Sequence, residues 1–120
     1  MTGDVDEILV PNVGAIGYMQ EWASDPGTWD AWVEFPGHGA AELVCNGGSK
    51  GWAAHVAALH YERLLAESLM GRQNNLRNEA DWSAYRDDTF RVTACHDWAG
   101  VMLREHYQEA RREARRLMNV

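Results

Sequence analysis

Cys95-His96-Asp97 places a thiol, an imidazole and a carboxylate in succession. A cysteine becomes a nucleophile when a nearby base takes its proton, and a carboxylate can hold that base in position. Residues 89–95 alternate as a strand does, with Phe90, Val92 and Ala94 on one side, and an amphipathic stretch begins near residue 97. The triplet is therefore expected where a strand meets a helix, a common position for catalytic groups. A plainer reading competes with this one. Neighbours on a strand point to opposite faces, and Asp97 has the residue type of a helix N-cap. A second place for chemistry is Gly47-Gly48-Ser49-Lys50-Gly51, ahead of a helical stretch. Free backbone N–H groups at a helix start attract anions. The two places together describe a small enzyme or ligand-binding domain, with Cys95 as nucleophile and His96 as acid and base.

Other motifs fall short. The glycine-rich loop does not match the phosphate-binding pattern G-x-x-x-x-G-K-[ST], because Lys50 is followed by Gly51. His60-Tyr61-Glu62 has the H-x-E shape of nucleobase deaminases, but the P-C-x-x-C that completes their zinc site is absent. Arg91 and His96 have the R-x4-H spacing of HEPN-type ribonucleases. Those motifs lie on a helix with a polar residue after the arginine, whereas here Val92 follows and the stretch reads as a strand. Cys45, Cys95, His55 and His96 have the residue types of a zinc site, with no C-x2-C or H-x3-H pair among them. No metal or cofactor is expected.

Charge is the more informative pattern. Residues 1–49 contain no Lys or Arg, and Asp4, Asp6, Glu7, Glu21, Asp25, Asp30, Glu34 and Glu42 give them a net charge of −8. Residues 50–120 hold all 11 basic groups and net +1. Either the second half folds its arginines back, or an acidic face is left in solvent, where it solubilises the protein or draws in a basic partner. Trp29 and Trp32 lie on opposite sides of one strand, so either the sheet is covered on both faces or one indole is exposed. Tryptophan is enriched in interface hot spots. The leading expectation is a non-enzymatic acidic binding protein. It covers a basic, nucleic-acid-binding type of surface on a macromolecular partner, in the manner of nuclease inhibitors, anti-defence proteins or immunity proteins. The residues assigned to that contact are Asp30, Trp32, Glu34, Glu42, Glu21 and Asp25. Direct nucleic-acid binding is not expected, since phosphate contacts come from Lys and Arg. A third expectation is a structural subunit that oligomerises through an apolar helix face.

These residues need a scaffold. The chain has 120 residues, 46% hydrophobic and 24% charged, with net charge −7, enough for one domain with its own core. No apolar run approaches the ~20 residues of a membrane helix. The start, MTGDVDEILV, lacks the basic region of a secretory signal, and the two cysteines read as free thiols. The expected compartment is the cytoplasm. Val5–Val10 reads as a strand stopped by Pro11. Asn12 to Ser24 reads as a helix bearing Ile16, Met19, Trp22 and Ala23. Residues 29–45 read as a β-hairpin turning at Pro36-Gly37-His38-Gly39. Residues 51–70 form a helix with two apolar sides, the mark of a central element. Asn78 caps a short helix, 89–95 is a strand, and 97–118 is the last helix, its final turns crowded by Arg111, Arg112, Arg115 and Arg116. The expected order is β-α-β-β-α-α-β-α. The fold class is α+β, a single small domain. Its mixed or antiparallel sheet of three or four strands is packed by the 51–70 and 97–118 helices.

Overall fold

The computed structural model describes residues 5–119, which form β1 (Val5–Val10), β2 (Gly14–Glu21), β3 (Trp29–Val33), β4 (Glu42–Gly48), α1 (Lys50–Arg72) and α2 (Glu79–Met118). Asp4 lies outside them. The strands make one antiparallel sheet in the order β1-β2-β3-β4, so the domain is α+β as expected. Residues 29–45 form the anticipated hairpin, and Val5–Val10 is a strand.

Two expectations are corrected. Residues 14–21 are a strand, not part of a helix over 12–24. Asn12 sits at φ 66 and Gly14 at φ 103, so the chain turns tightly after Pro11 and returns along β1. The helical spacing of Ile16 and Met19 arises from a bulge. Register shifts between Ile8 and Leu9, which places Ile16, Gly17 and Met19 all out of solvent and breaks the strict alternation of a strand. The second correction is at 89–95. There is no strand there, and the short helix expected after Asn78 and the one expected at 97–118 are one helix of 40 residues. Asn78 Oδ1 accepts the Asp81 N–H at its start. Val92, Cys95, Ala99, Met102 and His106 recur at three- and four-residue spacing along the side turned to α1. Asp88, between the two expected elements, is held within the helix by Arg72 from α1 and by Arg91 one turn on.

Antiparallel partners share a face of the sheet and successive residues alternate. Asp6, Met19, Ala31 and Cys45 therefore form one row beneath the helices, and Ile8, Gly17, Val33 and Glu42 the next. Helix α1 lies on these rows. Ser49 caps it by accepting the Trp52 N–H. Its buried Ala53, Ala54, Ala57 and Ala58 are small enough to let it sit close to both the sheet and α2, while Tyr61, Leu64 and Leu65 fill the space beyond. It is the central element that its two apolar sides implied. No helix among the described residues is long and apolar enough to cross a membrane.

Helix α2 runs antiparallel to α1. Contacts join Arg72 to Asp88, Glu62 to His96, His55 to the carbonyl of Ala99, and Ser49 to His106. Forty residues at 1.5 Å each span about 60 Å, close to the 64 Å long axis of the molecule. Beyond His106, α1 has ended, and residues 107–118 project from the domain with every side chain exposed.

Candidate functional site

Both helices cover the same face of the sheet, so the opposite face is open. Two rows of side chains cross it. Glu7, Tyr18, Trp32 and Leu43 are successive partners across all four strands, and Val5, Gln20, Asp30 and Asn46 form the adjacent row. Neither row contains Lys or Arg. The Tyr18 and Trp32 rings stack, with centroids 5.0 Å apart and planes 18° from parallel. Stacking half-buries Trp32 and presents a flat aromatic surface at the centre of the face. Trp22, just past the end of β2, donates its indole N–H to Asp30 Oδ1 at 2.8 Å. Its ring lies close to Gly47, where a Cβ would be 2.9 Å from it; Gly47 sits at φ 87, the left-handed region that favours glycine, and this accounts for the residue at that point of β4. Leu43, Leu9 and Val5 add exposed apolar surface.

Glu34 follows β3 at the end of this face. Together with Glu7, Tyr18, Gly17, Phe35, Pro36 and Tyr61, it lines an open cavity of about 470 Å³. Among the described residues neither Glu7 nor Glu34 has a cationic group within ion-pairing distance. The face thus joins aromatic surface to free negative charge. Such a surface accepts guanidinium and ammonium groups, which pair with carboxylates and stack on ring faces.

The six residues assigned to partner contact divide into three places. Asp30, Trp32 and Glu34 share the open face. Glu42 is on the helix side, where its carboxylate accepts from His60 Nε2 of α1. Glu21 and Asp25 are used inside the turn after β2: Glu21 accepts the Gly27 N–H and Asp25 accepts the Thr28 hydroxyl. Glu7, Tyr18, Trp22 and Leu43 were not assigned to the face. Reading 12–24 as a helix hid the cross-strand partners of Trp32. The signal for them is the period-two pair Tyr18 and Gln20, set against Trp32 and Asp30. Trp29 is buried beneath the helices, with the Lys50 ammonium 4.9 Å from its ring centre.

Cys95, His96 and Asp97 do not form a strand–helix junction. They lie in the middle of α2, where neighbours point about 100° apart around the axis. Cys95 has no exposed surface, and burial, then the Glu62 charge, pushes its thiol up to about 11. That is the environment of an inert thiol. His96 turns to α1 and donates from Nδ1 to Glu62, while Asp97 faces solvent. The loop that was to share their site is distant. Gly47 and Gly48 belong to β4, and Ser49 caps α1 some 12 residues, about 18 Å of helix, from the level of Glu62. Arg91 and His96 are on a helix after all, but five positions set them about 140° apart, and each faces a carboxylate, Asp88 and Glu62 respectively. Among the described residues no three metal-ligating side chains converge. Cys45 lies under α1, its thiol raised by burial and by Asp30, and His55 donates to the Ala99 carbonyl. No protein family, characterised protein or solved structure was found to match this chain.

Proposed function

We propose that the protein is a non-enzymatic binding protein whose open sheet face covers a basic surface on a macromolecular partner, most simply another protein. The observation that carries this reading is the row Glu7, Tyr18, Trp32 and Leu43, flanked by Asp30 and Glu34 and free of any cation. A stacked Tyr–Trp pair is a rigid apolar anchor that loses little conformational freedom on binding. Carboxylates around it speed encounter with positive charge and repel nucleic acid. A protein that occupies a basic surface in this way excludes whatever else that surface binds. Inhibition of a nucleic-acid-handling protein is the activity that follows.

The test is capture from a lysate at 50 mM salt, identification by mass spectrometry, and titration with the purified partner. A basic partner should bind at least tenfold more weakly at 500 mM salt and at least tenfold more weakly to Trp32→Ala. A partner whose affinity is indifferent to salt, to Trp32→Ala and to Glu34→Lys would overturn the assignment of this face.

A further inference from the structure

The chain carries a basic segment of its own. Sixteen acidic and seven basic side chains precede residue 107, a net charge of −9. Residues 107–118 then hold Arg111, Arg112, Arg115 and Arg116 against Glu109 and Glu113, a net of +2. This is the part of α2 that projects past the domain. At 100° per residue its side chains sort into arcs. Leu103, Tyr107, Ala110, Ala114, Leu117 and Met118 occupy one arc about 100° wide. Arg104, Arg111 and Arg115 flank it on one side. Arg112 and Arg116 lie further round, and Glu109 and Glu113 sit on the other flank. Met118 is 84% exposed and Leu117 66%. An apolar arc bordered by arginines is built to be covered, and none of the described residues of its own subunit covers it.

We infer that this projecting helix docks on the open sheet face of a second copy, its arginines reaching Glu7 and Glu34 and its apolar arc lying on the Tyr18–Trp32 stack. Charge complementarity selects that occupant. Pairing two such helices with each other sets a net charge of +2 against another of +2, whereas the sheet face offers free carboxylates and two aromatic rings. The same subunit cannot make the contact. Its α2 is continuous to Met118 and lies on the covered side of the sheet, so the open face is reached only by another molecule. The contact is heterologous, joining two different surfaces. It extends the reading of the sheet face given above by naming this chain's own terminal helix as a ligand for it.

Complementation tests the inference. A face variant (Glu7→Lys, Glu34→Lys) and a tail variant (Arg111→Glu, Arg112→Glu, Arg115→Glu, Arg116→Glu) change only exposed side chains. Circular dichroism checks that each remains folded. In sedimentation velocity at 50 mM salt, the wild-type mass should rise above 13.5 kDa with concentration and return to it at 500 mM salt. Each variant alone should stay monomeric. An equimolar mixture should form a one-to-one dimer, because one variant keeps the tail and the other keeps the face. A wild-type protein monomeric at 1 mM and 50 mM salt overturns the inference. So does self-association that survives in either variant alone, or a mixture that fails to pair; the first points to tail–tail packing when it survives in the face variant. A foreign partner whose affinity falls with Trp32→Ala, found alongside a strictly monomeric wild type, sinks this inference and leaves the proposed function standing. Complementation with no foreign partner does the reverse.

Discussion

Replacing Gly17 by alanine is a severe test of the sheet register. Gly17 pairs with Ile8 on one side and Val33 on the other, beside the bulge in β1–β2. A Cβ built on it would lie 1.9 Å from the carbonyl oxygen of Trp32 and 2.9 Å from its carbon. Separating them to about 3 Å requires β2 and β3 to part by roughly 1 Å, against a normal spacing of ~4.8 Å. The hydrogen bonds on either side are then lost, among them the 2.9 Å bond from the Glu34 N–H to the Ile16 carbonyl. Two such bonds at about 1 kcal/mol each, with overpacking of about 1–3 kcal/mol, give a loss of roughly 3–5 kcal/mol. For a chain of this length that is a fall of ~12–20 °C in Tm. Gly100→Ala is the control, because the same atom added in α2 meets nothing within 4 Å. It should stabilise by about 0.5–1 kcal/mol through helix propensity. Urea unfolding followed by tryptophan fluorescence and by circular dichroism measures both. A Gly17→Ala protein within 1 kcal/mol of wild type would refute the close approach of β2 to β3, and with it the rows that define the open face.

Ser49→Ala should cost about 1–2 kcal/mol, since it removes both the cap to the Trp52 N–H and the 2.7 Å hydrogen bond to His106; a change under 0.3 kcal/mol in urea unfolding contradicts the tie. Cys95 holds its proton more tightly in the folded state, with a value near 11 against an ordinary 9.0. Its contribution is therefore complete below pH 9 and is lost as pH rises through 11. The loss is about 2–3 kcal/mol, so unfolding curves should fall more steeply over that window for wild type than for Cys95→Ala. The same burial should make both thiols of the native protein resist iodoacetamide at pH 8, with rapid alkylation in urea; equal rates in both conditions would show an open core. Asp88→Ala strands Arg72 and Arg91 at a partly buried position and should destabilise by ~1–2 kcal/mol, whereas Glu79→Ala, whose partner Arg86 is exposed, should change stability by less than about 0.5 kcal/mol.

The sequence carried the hairpin at 29–45 and the central helix plainly, because each shows an unbroken period. Trp29, Ala31 and Val33 alternate with Asp30 and Trp32. Ala53, Ala57, Tyr61, Leu64 and Leu65 recur at helical spacing. The failures have local causes. In β2 the bulge puts Ile16 beside Gly17 on the buried side, and the shifted phase resembles a helix. In α2, Thr89, Phe90, Val92 and Thr93 have strand preferences that the long helix on both sides overrides. Phe90 is 73% exposed, so the alternation in which it took part was accidental. Within the site, Asp30, Trp32 and Glu34 were legible because they share one strand and its exit. Glu21, Asp25 and Glu42 were grouped with them by charge alone, and charge does not record which side of a sheet a residue faces. Glu7 and Tyr18 needed register, a property of two strands together.

Every element of this fold packs against the one that follows it, and the longer-range pairings are those of α1 with β2 and β3 and of α2 with β1. Such a topology has a low entropic barrier to assembly and folds quickly. It also imposes an order during synthesis. The four strands leave the ribosome first, and until residue 65 has emerged the side chains of Ile8, Ile16, Met19, Trp29 and Val33 have no cover. At about 5–20 residues per second the nascent meander waits roughly one to several seconds for α1. The eight carboxylates of its first 49 residues, with no Lys or Arg among them, oppose by like charge the pairing of such half-built sheets on a polysome. The acidity of the N-terminal half thus bears on the chain while its sheet is still uncovered.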